Sequence, residues 1–224
     1  MIVENRLKGF SMGLIAALLL SPVLISSVAA TEDLHLPSTL VTIEVFNGTE
    51  SYFSTMLSNV PSGYDIENAA YAGWCVDVRT PMARSPAKHE VLLYSSLSPP
   101  GELAVEQWDM VNYILNHKQG TFEDVQQAIW YFVHMDGGYT PSKAAAWSMV
   151  NDALANGEGF EPGNGEIMAV VCYPAILFPS EEVQISIVEV TCTVIPELQP
   201  TAIILLFLMT TTTIALARKK NLTS

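Results

Sequence analysis

Residues 121–135 read TFEDVQQAIWYFVHM. At about 100° per residue, Phe122, Val125, Ile129, Phe132 and Val133 fall on one stripe, the mark of a helix packed along one side. Thr121 stands at the N-cap position and Asp124 follows as its partner, which sets up a capping box. Asp136-Gly137-Gly138 ends the run. Of the two adjacent glutamines, Gln126 projects from the edge of the stripe toward the core, and Gln127 points almost directly away from it.

Leu103–Asn116 also has helical spacing and stops at Gly120. Thr140-Pro141 predicts the start of another helix, with proline at its favoured first position, and Gly157 ends it. Strands flank these helices on both sides. Val41–Phe46 alternates apolar with polar residues, Asn47-Gly48-Thr49 turns the chain, and Tyr52–Leu57 returns. Tyr71–Val78 is an apolar stretch that runs into a loop punctuated by Pro81 and Pro86, and Glu90–Ser95 reads as a strand. Strand patterns come back at Glu166–Tyr173 and Val183–Val194. Strands, then helices, then strands predict an α+β domain: a β-rich body, sandwich or barrel-like, carrying a helical insertion.

The two ends read differently from the middle. Residues 1–30 form an expected signal peptide, with Arg6 and Lys8 ahead of an apolar run and Val28-Ala29-Ala30 as the cleavage site before Thr31. Residues 196–224 form an expected anchor. An uncharged span over 201–217 is long enough to cross a bilayer, and the basic cluster Arg218-Lys219-Lys220 (218–220) marks the cytoplasmic side. That leaves residues 31–195 as a domain outside the cell, held to the membrane. Between residues 31 and 217 the chain has 5 basic and 22 acidic side chains. Nucleic acid is excluded as a partner by that balance, because neutralising phosphates takes clustered Lys and Arg. Asn47-Gly48-Thr49 is an N-x-T sequon, the acceptor motif for a glycan.

Three cysteines in an exported chain leave one unpaired. Cys172 and Cys192 both lie in the closing β-segments and are the expected disulfide pair, which leaves Cys75. A lone cysteine is most often a small buried hydrophobe, and a partly buried glutamine is most often just hydrogen-bonded. The histidines His35, His89, His117 and His134 are scattered without metal-ligand spacing, so no metal and no cofactor is expected.

Taken together, Ala72-Gly73-Trp74-Cys75-Val76-Asp77, then Trp108 with Val111-Asn112-Tyr113-Ile114-Leu115-Asn116-His117, then Val125-Gln126-Gln127-Ala128-Ile129-Trp130, resemble the thioester domain of bacterial surface adhesins. The resemblance continues through Gly159-Phe160, Pro162, Ala169-Val170, Gln184 and Val188-Glu189-Val190. It implies an internal thioester with Cys75 as thiol and Gln126 as acyl donor. Trp74 and Trp130 are then aromatic supports that keep water from the bond. The thiolate is expected to be favoured by the start of the helix carrying Gln126. The activity implied is a single reaction with an amine or hydroxyl on a surface ligand, leaving a covalent attachment, so the protein is expected to be no enzyme. The tail, Pro196-Glu197-Leu198-Gln199-Pro200-Thr201 followed by the apolar span and basic cluster, resembles the PEF-type sorting signals of archaeal surface proteins. That likeness implies a sorting transpeptidase as a partner. Two other readings use the same residues: a noncovalent surface-binding or envelope module, and a cysteine hydrolase with Cys75 as nucleophile and a histidine as base.

Overall fold

The computed structural model describes residues 33–133, 138–175 and 183–193. The expected signal peptide (1–30) and anchor (196–224) lie outside the described residues, as does His134. Among the described residues no helix is long and apolar enough to cross a membrane.

The alternation read in the first strands is the alternation of a sheet with one face inward. In β1 (Val41–Asn47) the residues Val41, Ile43 and Val45 are buried, and in β2 (Phe53–Ser58) the residues Phe53, Thr55 and Leu57 are. β3 (Ala70–Cys75), β4 (Lys88–Ser95), β5 (Ile167–Pro174) and β6 (Ser186–Thr191) complete the sheet. All neighbours pair antiparallel in the order β1-β2-β3-β6-β5-β4, and β4 pairs back onto β1 to close a barrel. The β-rich body is therefore a barrel rather than a sandwich, with the helices inserted between β4 and β5.

Among the described residues the helices pack against β5 and β3 of the barrel. Between these strands run α1 (Trp108–Asn116), α2 (Phe122–Phe132) and α3 (Ala144–Asn156). Strands that carry the helices are buried on both faces, which is why Met168-Ala169-Val170-Val171-Cys172 is one continuous apolar run. Val170, Cys172 and Val188 join Ile43, Val45 and Leu57 in one cluster; Trp74, Val171 and Ile187 face the other way, into the cluster built by the helices. Gly73 is required at the β2–β3 contact, because a Cβ there would stand 2.5 Å from Thr55 Oγ1.

Two carboxamides dock helices onto strand backbone. Asn116 of α1 donates to Ile167 O at 2.8 Å and accepts from Ile167 N–H at 2.8 Å. Gln126 of α2 makes the same two-way bond to Cys75, with both distances 2.8 Å. The Thr121–Asp124 capping box forms as expected, with Thr121 N–H donating to Asp124 Oδ2 at 2.8 Å.

Three expectations are corrected. The first helix begins at Trp108, not Leu103; Leu103 closes a separate 3-10 turn (Gly101–Leu103) whose carbonyl accepts the Trp108 indole N–H at 2.8 Å. Leu103 is buried in the same cluster as α1, so apolar spacing alone runs straight across the break. The third helix begins at Ala144, after Pro141. Gln127 Oε1 accepts from Ser142 N–H at 2.8 Å, which holds that segment as a loop against α2. Finally, Cys172 and Cys192 are free thiols, not a disulfide. Cys172 stands opposite Ser186, whereas Cys192 N–H donates to Glu166 O at the other end of the same ladder. Six residues of strand separate those positions, roughly 20 Å, far beyond the reach of a disulfide.

Candidate functional site

Cys75 is the last residue of β3, where β3 meets β6 in the barrel. It stands opposite Ser186, and Val76 N–H continues the ladder to Ile185 O at 3.2 Å. That register brings Gln184, just ahead of β6, beside the sulfur. The Cys75 thiol donates to Gln184 Oε1 in a very short contact and also lies 3.1 Å from Asp77 O. Gln184 and Gln126 are both buried, 5% and 0% exposed. Their engagement differs. Gln126 spends its side-chain oxygen and nitrogen on the Cys75 main chain, while Gln184 meets the sulfur itself.

The sequence therefore placed Gln126 correctly as buried and next to Cys75. Its side chain is committed to docking α2 on β3. Gln184, inside the stretch that resembles the adhesin domains, is the neighbour of the sulfur that the sequence reading does not reach. The contact joins residues 109 positions apart and depends on the β3–β6 register, so no local pattern marks it. The signal that was available is a glutamine directly before an apolar strand, Val183-Gln184-Ile185.

A cavity of 380 Å³ opens over this pair, lined by residues that include Tyr52, Phe53, Asp77, Arg84 and Trp130. The loop after β3 forms part of its wall. That loop is tied down by Ser85 N–H donating to Val45 O at 2.7 Å, by the His89 ring at 3.0 Å from Ala83 O, and by Arg84, which donates to Asn47 Oδ1 and lies 5.6 Å above the Phe53 ring. Asn47, the sequon residue, is exposed at the end of β1. Burial opposes ionisation of Asp77, but hydrogen bonds from the Thr80 side chain and the Arg79 and Thr80 main chain prevail and hold its carboxyl below the usual range.

Burial pushes the Cys75 thiol up to about 12, with Gln184 and Trp130 acting in the opposite direction. The expected helix-start activation of the thiolate is thus not what the site provides. The start of α2 is already satisfied by the Thr121–Asp124 capping box, whose carboxylate sits where an anion would bind.

The two expected aromatic supports part company. Trp130 lines the cavity and is bracketed by Tyr52 and Tyr139, with ring centroids 5.8 and 5.1 Å away. Trp74 faces the helix side of the sheet, where its indole N–H donates to Glu189 Oε1 at 2.7 Å. No histidine lines the cavity among the described residues. His117 is bonded to Tyr113 O at 2.8 Å and His35 to Gly63 O at 3.2 Å, so neither stands as a base for Cys75. Among the described residues no cluster of His, Cys, Asp and Glu could hold a metal ion.

Neither a family model nor a curated protein matches this sequence. Solved structures do. The N-terminal thioester domain of a surface protein from Clostridium perfringens is similar over 67% of this chain and 98% of its own, at 11% identity and a TM-score of 0.44. The N-terminal thioester domain of the fibronectin-binding protein SfbI from Streptococcus pyogenes is similar over 73% of this chain and 100% of its own, at 12% identity and a TM-score of 0.43.

Proposed function

We propose that this is a cell-surface attachment protein whose Cys75 and Gln184 join as an internal thioester and react once with an amine or hydroxyl of a surface ligand. The observation that carries this reading is the direct contact of the Cys75 thiol with the Gln184 carboxamide at the floor of an open cavity. In the first step Cys75 Sγ attacks Gln184 Cδ, the C–N bond breaks, and ammonia leaves. An incoming amine then attacks the same carbon, its N–C bond replaces the C–S bond, and Cys75 is left as a thiol.

An amide is a poor acyl donor and a buried thiol a poor nucleophile, so the drive must come from holding the two together. Aligned groups reach effective molarities of about 10⁵–10⁸ M. The fold supplies that alignment twice: the β3–β6 ladder sets Gln184 against the sulfur, and the Gln126 carboxamide clamps the Cys75 backbone. No lysine lines the cavity among the described residues, whose cations there are Arg79 and Arg84, so the site carries no amine of its own to discharge the bond. Surface display is supported by the leader and the tail with its basic cluster; the tail's partner would be a membrane transpeptidase. The glycan acceptor would be Asn47.

The test is intact mass of residues 31–195. The wild type should be lighter than calculated by one ammonia, and methylamine should add at Gln184 by peptide mapping. A full calculated mass in fresh protein, with no methylamine adduct, would overturn the reading in favour of a noncovalent surface module.

A further inference from the structure

Trp130 holds a group that the fold leaves unsatisfied. Its indole nitrogen is buried and has no hydrogen-bond partner, whereas Trp74 and Trp108 both donate to oxygens at 2.7 and 2.8 Å. Buried donors are rarely left unpaired, since an unpaired one has given up water and gained nothing in return. The ring is not loosely placed: Tyr52 and Tyr139 bracket it, and α2 carries it one turn beyond Gln126, which is clamped to Cys75. Trp130 lies in the wall shared with Cys75 and Gln184, and hydrogen bonding from its side chain favours negative charge on the sulfur.

We propose that the Trp130 indole N–H is a preorganised donor whose acceptor appears only during reaction: the negative charge developing on Cys75 Sγ as the bond to Gln184 Cδ breaks. This rests on the Cys75–Gln184 reading above. In the resting thioester the sulfur is neutral and shared, which is a weak acceptor, and the N–H stays unpaired. When an amine attacks Gln184 Cδ, the electron pair of the C–S bond moves onto Sγ. The indole stabilises that charge without giving up its proton. The thiolate then takes the proton lost by the attacking nitrogen, relayed by water, and ends as the thiol. A donor aimed at charge that exists only in the transition state needs no reorganisation as the charge forms. Burial otherwise makes the Cys75 thiolate a poor leaving group, so this is where help is needed.

The experiment uses the full-length chain and methylamine as the probe. Intact mass first establishes that wild type carries the ammonia deficit; its absence would remove the underlying reading and this proposal with it. Where the deficit is present, Trp130→Phe should lower the methylamine rate by roughly 100-fold, the loss typical of one such donor. A benzothienylalanine at position 130 keeps the ring shape and replaces only the N–H, so it separates hydrogen bonding from packing and covers a Phe variant that fails to fold. It should show the same loss. In a Gln184→Ala background, alkylation of Cys75 by iodoacetamide at fixed alkaline pH should slow about tenfold on losing the N–H, because the thiolate fraction falls. Methylamine and alkylation rates unchanged in the benzothienyl variant, with the deficit intact, would overturn the proposal while leaving the thioester standing.

Discussion

Asn116 against Ile167 and Gln126 against Cys75 are the same device at two places in the molecule. In each, a helix side-chain carboxamide gives and takes one hydrogen bond with the main chain of one strand residue, all four distances being 2.8 Å. One sits at the start of β5 on an ordinary isoleucine; the other sits at the end of β3 on a cysteine. The first sits on an isoleucine and still adopts that geometry. A two-way bond to strand backbone is thus what docking looks like, and it needs no chemistry to explain it. What distinguishes the β3 site is the second glutamine, which meets the sulfur instead of the backbone.

That comparison can be broken most sharply by Gln184→Ala. It should abolish the ammonia deficit and methylamine uptake completely, as should Cys75→Ala, while Asn116→Ala should keep both; an adduct mapped to Gln126 would reverse the assignment. The next largest effect is on alkaline stability. Burial raises the Cys75 and Cys172 thiols to about 12 from an ordinary value of 9.0, so between those pH values the folded chain keeps protons that the unfolded chain has lost. The free energy of unfolding in Gln184→Ala should therefore be fully present below pH 9 and fall by a few kcal/mol on the way to pH 12. Urea titrations at graded pH would show this, and a flat profile would contradict it. Gln126→Ala should cost roughly 2–4 kcal/mol in urea denaturation, because it leaves a buried N–H and C=O of Cys75 unpaired. Asn116→Ala should cost less, about 1–2 kcal/mol, since its site is only half-buried and water can replace the side chain. The smallest effect belongs to Cys172→Ala, about 1 kcal/mol from a minor loss of packing, with methylamine uptake unchanged.

Cys172 also shows why a raised thiol is no guide to function. It is as buried as Cys75 and as strongly shifted, yet it faces Ser186 inside the barrel and does not line the cavity over Cys75 and Gln184.

Local chemistry was enough for much of this. The period-3.6 stripe from Phe122 to Val133, the Thr121–Asp124 box and the alternation of Val41–Phe46 rest on contacts within a few residues, and each element formed close to its expected bounds. Burial of Gln126 with Gln127 turned outward followed from the same helical geometry. The sequence could also single out Cys75, by the residues around it. Closure of the sheet into a barrel could not be read in that way, nor the separation of Cys172 from Cys192, because both depend on strand register between segments far apart in the chain. The contact of the sulfur with Gln184, and not with the Gln126 side chain, belongs with them. Two glutamines are equally able to donate an acyl group by composition, and only the pairing of β3 with β6 determines which one reaches the sulfur.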